Sequence, residues 1–137
     1  MRAVILDSEA ISRLARAKDG AAAGVVHTWV RAAADTQAPV VVPAAVLAEQ
    51  YRGGRHDQIL DACLARYPGI AVVDTTRPLA RQIGHLSARA GSGSQHHVDA
   101  TVIAVALAHG GGAVLTSDPD DLAALAEGNP AITIVPV

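Results

Sequence analysis

The chain has 137 residues, 50% of them hydrophobic, and a formal net charge of -2. A chain of this length can bury roughly two-thirds of its unfolded surface, so we expect a single domain over residues 1–137. The near-neutral charge excludes recruitment of nucleic acid by overall attraction, and the single cysteine, Cys63, excludes an intramolecular disulfide and a thiolate-rich metal cluster.

No segment has the length of a signal-peptide core or of a membrane span. The apolar run that follows Met1 is short, and no stretch approaches the ~20 apolar residues that cross a bilayer. We therefore expect a cytoplasmic protein without a membrane partner. The chain has no Phe, two Tyr and one Trp, which are too few rings for a platform that stacks single-stranded bases.

Short aliphatic runs alternate with longer segments of helical period. Strands are predicted at residues 3–6, 40–42, 70–73, 113–115 and 131–135. Helices are predicted at residues 8–18, 21–34, 44–52, 56–67, 78–89, 98–109 and 119–127. This alternation is typical of an α/β domain with a mainly parallel sheet. A Gly-Ser-Gly-Ser segment at residues 91–94 is the best candidate for a flexible loop.

Two aspartates follow predicted strands directly. Asp7 ends the first apolar run, and Asp118 lies just beyond the run at residues 113–115. Both are expected at the carboxyl ends of parallel strands, where open α/β sheets bind ligands. Asp7 also fits an N-cap before Ser8, and Asp118 fits one before Pro119. Capping a helix and binding a metal are compatible.

Two further acids lie on predicted helices. Asp99 is followed at i+3, i+4 and i+7 by apolar residues, so its side chain is expected to follow the buried stripe of its helix. The alternative is a first-turn acid favoured by the helix dipole. Glu49 also shares a helical face with apolar residues. The alternative interpretation is that Glu49 is an ordinary glutamate exposed to solvent.

These acids stand where the local pattern calls for apolar residues. A lone buried carboxylate costs several kcal/mol unless it is neutralised or paired. A divalent cation held by oxygen ligands is the simplest common partner. The candidate metal ligands are Asp7, Glu49, Asp99, Asp118 and Asp121, and the polar residues that could orient a carboxylate or contact a phosphate are Ser8, Thr116 and Ser117.

Other polar or glycine-rich features are assigned structural roles. Adjacent His96 and His97 are interpreted as a polar loop, because neighbouring histidines do not make a tetrahedral zinc set. The glycines at 110–112 follow a helix and precede a strand, so they indicate a helix stop rather than a phosphate loop. Asp74 is assigned to helix capping and Cys63 to core packing.

Four short motifs follow one another in order along the chain. They are Asp7 after the first strand, Glu49 on a helix, Val98-Asp99-Ala100 opening an Ala-rich helix, and Thr116-Ser117-Asp118 after the next strand. Together they resemble a PIN domain, and in type the bacterial VapC toxins of toxin–antitoxin pairs. The resemblance covers essentially the whole chain. It departs from the family at Glu9, where Ser or a small residue is common, and at Leu122, where an aromatic residue is common. Glu9 either adds a carboxylate to the site or faces solvent, and we expect it to face solvent.

The resemblance implies a three-layer α/β fold. Its five-stranded parallel sheet would have the strand order 3-2-1-4-5 and be flanked by helices. In that order the first and fourth strands are neighbours, so Asp7 would lie beside Asp118. The helices between residues 21 and 67 resemble the region through which the family forms homodimers and contacts its antitoxins.

The resemblance also implies an endoribonuclease dependent on Mg²⁺, with Mn²⁺ as a substitute. It would cleave a translation-related RNA and leave a 5′-phosphate. Its partners would be the RNA substrate and a cognate antitoxin. The implied catalytic residues are Asp7, Glu49, Asp99 and Asp118, and candidate phosphate contacts are Arg13, Arg16, Arg52 and Arg55.

Two alternatives remain. One is a non-catalytic PIN-like module that docks a protein or an RNA, which the presence of all four acids disfavours. The other is a phosphoryl-transfer domain such as a response-regulator receiver. That class needs a lysine near the active strand ends, and Lys18, the only lysine, is not placed there.

Overall fold

A five-stranded parallel sheet forms the centre of the molecule. The computed structural model describes residues 2–17, 24–91 and 96–137. The strand order is β3-β2-β1-β4-β5, and every neighbouring pair is parallel. The order predicted from the family resemblance is therefore confirmed. The strands are β1 (Ala3–Leu6), β2 (Val40–Pro43), β3 (Ile70–Val73), β4 (Gly112–Thr116) and β5 (Ile132–Pro136).

Helices connect the strands throughout the described part of the chain. The predicted ends that fall on Lys18 and Ala21, and residues 92–94 of the predicted flexible loop, lie outside the described residues. Elsewhere each predicted helix has a counterpart whose ends differ by at most two residues. The helices are α1 (Ser8–Arg16), α2 (Gly24–Thr36), α3 (Ala44–Gln50), α4 (Gly54–Arg66), α5 (Arg77–Ala90), α6 (His97–Ala108) and α7 (Pro119–Ala126).

The three central strands are buried on both faces. Every residue of β1, β2 and β4 is buried, whereas the edge strands β3 and β5 are partly exposed. A parallel sheet with this pattern needs helices on both sides, which gives the three-layer architecture. In the absence of Phe, the fully buried side chains are Ile, Leu and Val such as Ile5, Ile103 and Leu115. Each contributes about 1.5–3 kcal/mol of burial free energy.

Helix α6 is a central helix rather than an amphipathic one. Its residues from Ala100 to Ala106 are all buried, because it contacts the sheet as well as α5 and α7. The apolar stripe predicted to follow Asp99 is buried, but it does not mark one face of the helix, because the other faces are equally buried. What distinguishes Asp99 is its place in the first turn, where its burial falls to an intermediate level.

The glycines after α6 stop the helix and fix the register of the sheet. Gly110 and Gly111 have φ values of 77° and 106°, which L-residues with a Cβ rarely adopt. A Cβ at Gly112 would lie 2.1 Å from the carbonyl oxygen of Ala3. The predicted helix stop is confirmed. The close approach pairs Ala3 with Gly112 and, further along, Leu6 with Leu115.

Asp74 does not cap a helix. Helix α5 begins at Arg77, and its N-cap is Thr76, whose hydroxyl accepts a hydrogen bond from the amide of Leu79 at 3.4 Å. The prediction for Asp74 was wrong because the chain runs two residues further before the helix starts. Cys63 is fully buried, as predicted. Among the described residues, no helix is long and apolar enough to cross a membrane.

Candidate metal centre and acidic cleft

An acidic cleft of about 440 Å³ opens at the carboxyl ends of β1 and β4. Four of the predicted metal ligands line it, as do Ser8 and Ser117. Among the described residues that line it there is no arginine or lysine. The acids at its surface are Asp7, Glu9, Glu49, Asp99 and Asp118.

Asp7 is held at the base of the cleft by its backbone and its side chain. Its amide donates a hydrogen bond to the carbonyl of Leu115 at 3.2 Å. Its Oδ1 accepts one from the amide of Ala10 at 2.9 Å, which makes Asp7 the N-cap of α1. Only 8% of the residue is exposed. Asp7 therefore combines the predicted cap with a fixed position in the cleft.

The pKa of Asp7 is raised above its ordinary value. Burial is the main cause, because it disfavours the charged carboxylate, and the nearby charge of Asp118 adds to it. Hydrogen bonds with the Thr116 hydroxyl and with the amides of Ala10 and Ser117 act in the opposite direction without cancelling the rise. The protein therefore leaves this negative charge incompletely compensated.

Asp118 occupies the N-cap position of α7 without using its side chain as a cap. Its amide instead donates to Oγ1 of Thr116 at 2.8 Å. Pro119 is in the first turn of the helix, as predicted. Thr116 is completely buried, so the backbone that carries Asp118 is anchored in the core. The exposed carboxylate of Asp118 is left at the surface of the cleft.

Asp99 lies close to several other acidic side chains, and its pKa is raised. Burial is the largest cause of its raised pKa, and the charges of Asp118, Asp121 and Asp7 raise the pKa further, in that order. His96 acts in the opposite direction. The geometry agrees, because Asp7, Asp99 and Asp118 line one cleft and ligand atoms of Asp99 and Asp121 lie within 4.8 Å of each other.

Glu49 reaches the cleft from the last turn of α3. Its residue is exposed, but Oε1 accepts a short hydrogen bond of 2.5 Å from the Ser8 hydroxyl. Ser8 is the first residue of α1, so this contact links two walls of the cleft. The predicted supporting role of Ser8 has a partner that the sequence did not indicate.

Asp121 does not line the main cleft. It lies beside an adjoining cavity of about 170 Å³ that His96 also lines. One ligand atom each of His96, Asp99 and Asp121 lies within 4.8 Å of the other two. Within the described part of the chain, this is the one group of three potential ligands that is so compact. The other predicted ligands share the cleft but are more widely spaced.

Sequence reasoning set aside three side chains that line the cleft, His96, His97 and Glu9. The interpretation of the two histidines as a loop was wrong for His97, which begins α6. His96 was considered only together with His97, although its spacing of three residues from Asp99 places both on one helical face. Glu9 was expected to face solvent. It lines the cleft and pairs with Arg13 at 3.2 Å and with Arg16 at 3.3 Å.

The family model of the PIN domain matches residues 4–128. The chain belongs to the PIN domain family. This PIN domain has no significant match among the curated proteins.

One solved structure is similar over nearly the whole length of the PIN domain. It is described as VapBC2 from Rickettsia felis bound to a DNA fragment from their promoter. The TM-score is 0.67, the sequence identity is 12%, and the alignment covers 98% of each chain. At this identity the similarity establishes the fold.

The residues of the PIN domain suit a divalent cation. The main donors are carboxylate oxygens, which hard cations prefer. Two of these carboxylates, Asp7 and Asp99, have raised pKa values. Within the described residues, the arginine ion pairs go to Glu9 and Glu127 and not to the predicted ligands. A bound cation would supply the charge compensation that the protein itself does not.

Proposed function

We propose that this PIN domain is a divalent-metal-dependent endoribonuclease that hydrolyses RNA phosphodiester bonds. The observation that carries the proposal is the acidic cleft, whose described lining includes five carboxylates and neither arginine nor lysine. Two of these acids, Asp7 and Asp99, have raised pKa values. A site of this charge would repel an RNA phosphate unless a cation lay between them. Membership of the PIN domain family supports the same activity.

Asp7, Glu49, Asp99 and Asp118 would hold Mg²⁺, or Mn²⁺ in its place, with Asp121 nearby. When bound, such an ion polarises the scissile phosphate and lowers the pKa of an attacking water. The chain's own part is positioning: the Ala10 amide fixes Asp7, and the Ser8 hydroxyl fixes Glu49. Because these partners are already in place, little reorganisation is needed when the site fills.

Phosphate contacts outside the cleft would come from arginines. Arg13 and Arg16 are exposed and pair with Glu9 at the wall of the cleft. Arg52 and Arg55 are exposed at the start of α4 and the turn before it. With a net charge of -2, RNA binding has to rely on such local groups.

The test is RNA cleavage by purified variants. Asp7→Asn and Asp99→Asn should each abolish cleavage that depends on Mg²⁺ or Mn²⁺. Asn keeps the size of the side chain, and at position 7 it also keeps a good cap. Asp74→Asn is the matched control, because Asp74 is exposed beyond the edge strand β3 and should leave cleavage intact. Full cleavage by both cleft variants would refute the assigned site.

A calorimetric titration with Mn²⁺ separates this proposal from the alternative of a non-catalytic docking module. The nuclease needs an ion in the acidic cleft, whereas a docking module does not. We expect saturable binding by the native protein and its loss in Asp7→Asn. Absence of Mn²⁺ binding would favour the docking module.

We further propose that the chain is the toxin of a VapBC-type pair and works in the cytoplasm. The similar structure is described as a VapBC2 complex, and two exposed hydrophobic residues, Val25 on α2 and Tyr51 after α3, lie in the region predicted for dimer and antitoxin contacts. Co-expression with the product of an adjacent small reading frame should relieve growth arrest and yield a stable complex. A homodimer should be measurable by light scattering of the toxin alone.

A further inference from the structure

His96 brings a nitrogen donor to a cleft whose other potential metal ligands, apart from His97, are carboxylates. It is the N-cap residue of α6, yet its side chain makes no capping hydrogen bond. Its Nδ1 lies 3.7 Å from Oδ2 of Asp99. Asp121, in the first turn of α7, completes a group whose ligand atoms lie within 4.8 Å of one another.

Two of the three side chains are on helices, and all three are at least partly exposed to solvent. Asp99 and Asp121 belong to the first turns of two helices that pack against each other. His96 lines both the acidic cleft and the adjoining cavity of about 170 Å³ that Asp121 lines. An ion can therefore reach the group without passing through the core.

The donor set differs in kind from that of the cleft. Mg²⁺ takes oxygen ligands and retains water, whereas imidazole suits ions such as Zn²⁺. Zn²⁺ binds His nitrogen and Asp or Glu oxygen, and catalytic zinc sites use three protein ligands and leave a fourth position to water. Two donors on a tetrahedral zinc ion, with bonds of about 2.0–2.1 Å, are about 3.4 Å apart. The 3.7 Å between His96 and Asp99 is already close to that separation.

We propose that His96, Asp99 and Asp121 form a Zn²⁺ site at the edge of the acidic cleft, which overlaps the oxygen-ligated site at Asp99 and differs from it in the nitrogen ligand. It shares Asp99 with the cleft and leaves Asp7 and Glu49 outside it. The proposal does not depend on ribonuclease activity, because it concerns the binding of the ion alone.

The test is a titration of the tag-free, full-length protein with Co²⁺, which substitutes for Zn²⁺ and absorbs visible light. The native protein should develop visible absorption that is removed by Zn²⁺ and not by Mg²⁺. In His96→Asn, the affinity for Zn²⁺ should fall by about tenfold or more, because even the loss of a group that only orients a metal ligand typically costs that much. Unchanged affinity in that variant would overturn the proposal, as would complete displacement of Co²⁺ by Mg²⁺.

Two further variants make the result specific. His97→Asn removes the neighbouring imidazole, which is not in the compact group, and should leave the affinity for Zn²⁺ unchanged. If it weakens binding as much as His96→Asn, the assignment to His96 is wrong. Asp7→Asn should lose Mn²⁺ binding in the cleft while keeping Zn²⁺ binding. Failure of the nuclease proposal and failure of the zinc site are thus measured separately.

Discussion

At the scale of single residues, the cleft collects carboxylates, and among the described residues only Glu9 of these acids forms an ion pair with arginine. Asp7 and Asp99 both have raised pKa values, chiefly because of burial. Folding favours the protonated form of such a carboxyl group. The protonated group stabilises the folded protein fully at pH values below its ordinary pKa of about 3.9, and this stabilisation is lost as the pH rises through the higher pKa of the folded state.

Asp99→Asn should therefore stabilise the metal-free protein at neutral pH. The neutral amide avoids the cost of burying a charge near Asp118, Asp121 and Asp7. We expect a rise in melting temperature on the order of 2–4 °C at pH 7 that shrinks towards zero as the pH approaches about 4. Thermal unfolding in chelator across this pH range measures it, with Asp74→Asn as the control. A variant that is no more stable than the native protein at pH 7 would contradict the electrostatic explanation.

Ser8→Ala tests whether the link to Glu49 positions that carboxylate. The substitution removes the hydroxyl that donates to Oε1 of Glu49 and leaves a good helix former in α1. If the proposed nuclease activity holds, we expect metal-dependent cleavage to fall by about tenfold, as for other groups that orient a ligand. Ser12→Ala, on the same helix but not lining the cleft, is the control. Equal activity of the two variants would show that Glu49 needs no such support.

At the scale of elements, the contact between β1 and β4 sets the geometry of the site. The absence of a side chain at Gly112 lets the two strands approach, and the resulting register runs from Ala3 to Leu6. Asp7 and Asp118 follow the ends of these strands, so a shift of either strand would separate the two carboxylates.

Gly112→Ala should destabilise the protein by about 1–3 kcal/mol, the usual cost of overpacking a core. The added Cβ would lie 2.1 Å from the Ala3 carbonyl oxygen and 3.0 Å from Cδ1 of Ile5. Gly84→Ala is the matched control, because nothing lies within 4 Å of a Cβ there and Ala is favoured in a helix by about 0.5–1 kcal/mol. Urea unfolding of both variants measures the difference. If the two variants are equally stable, β1 and β4 can move apart to accept the added Cβ at little cost.

At the scale of the whole molecule, a cation should couple the separate elements of the site. Asp7 follows β1, Glu49 is on α3, Asp99 is on α6 and Asp118 precedes α7. A ligand that binds only the folded arrangement stabilises it by mass action. Relief of the repulsion among these acids would add to that stabilisation.

Mn²⁺ should accordingly raise the melting temperature of the native protein. At a concentration one hundred times the dissociation constant, the expected stabilisation is about 2.7 kcal/mol. Asp7→Asn should largely lose this shift, whereas Asp74→Asn should keep it. A calorimetric scan with and without Mn²⁺ measures the effect. The same shift in both variants would mean that the ion binds elsewhere.

Much of the architecture was predictable because it depends on local patterns. The five strands and the helix stop at the glycines follow from hydrophobic period and glycine chemistry. The family resemblance then supplied the strand order. The prediction that Asp74 caps α5 was wrong because a local pattern does not distinguish it from Thr76, two residues later.

The sequence by itself determined which elements form and that Asp7 and Asp118 follow the ends of strands, and the family resemblance added that these strands are neighbours. Only the tertiary structure decided that Ser8 holds Glu49, that Glu9 pairs with two arginines at the cleft, and that His96 meets Asp121. The reason is physical. Periodicity fixes the face of one helix or strand, whereas contacts between side chains on α1 and α3, or on α6 and α7, depend on how those helices pack against the sheet.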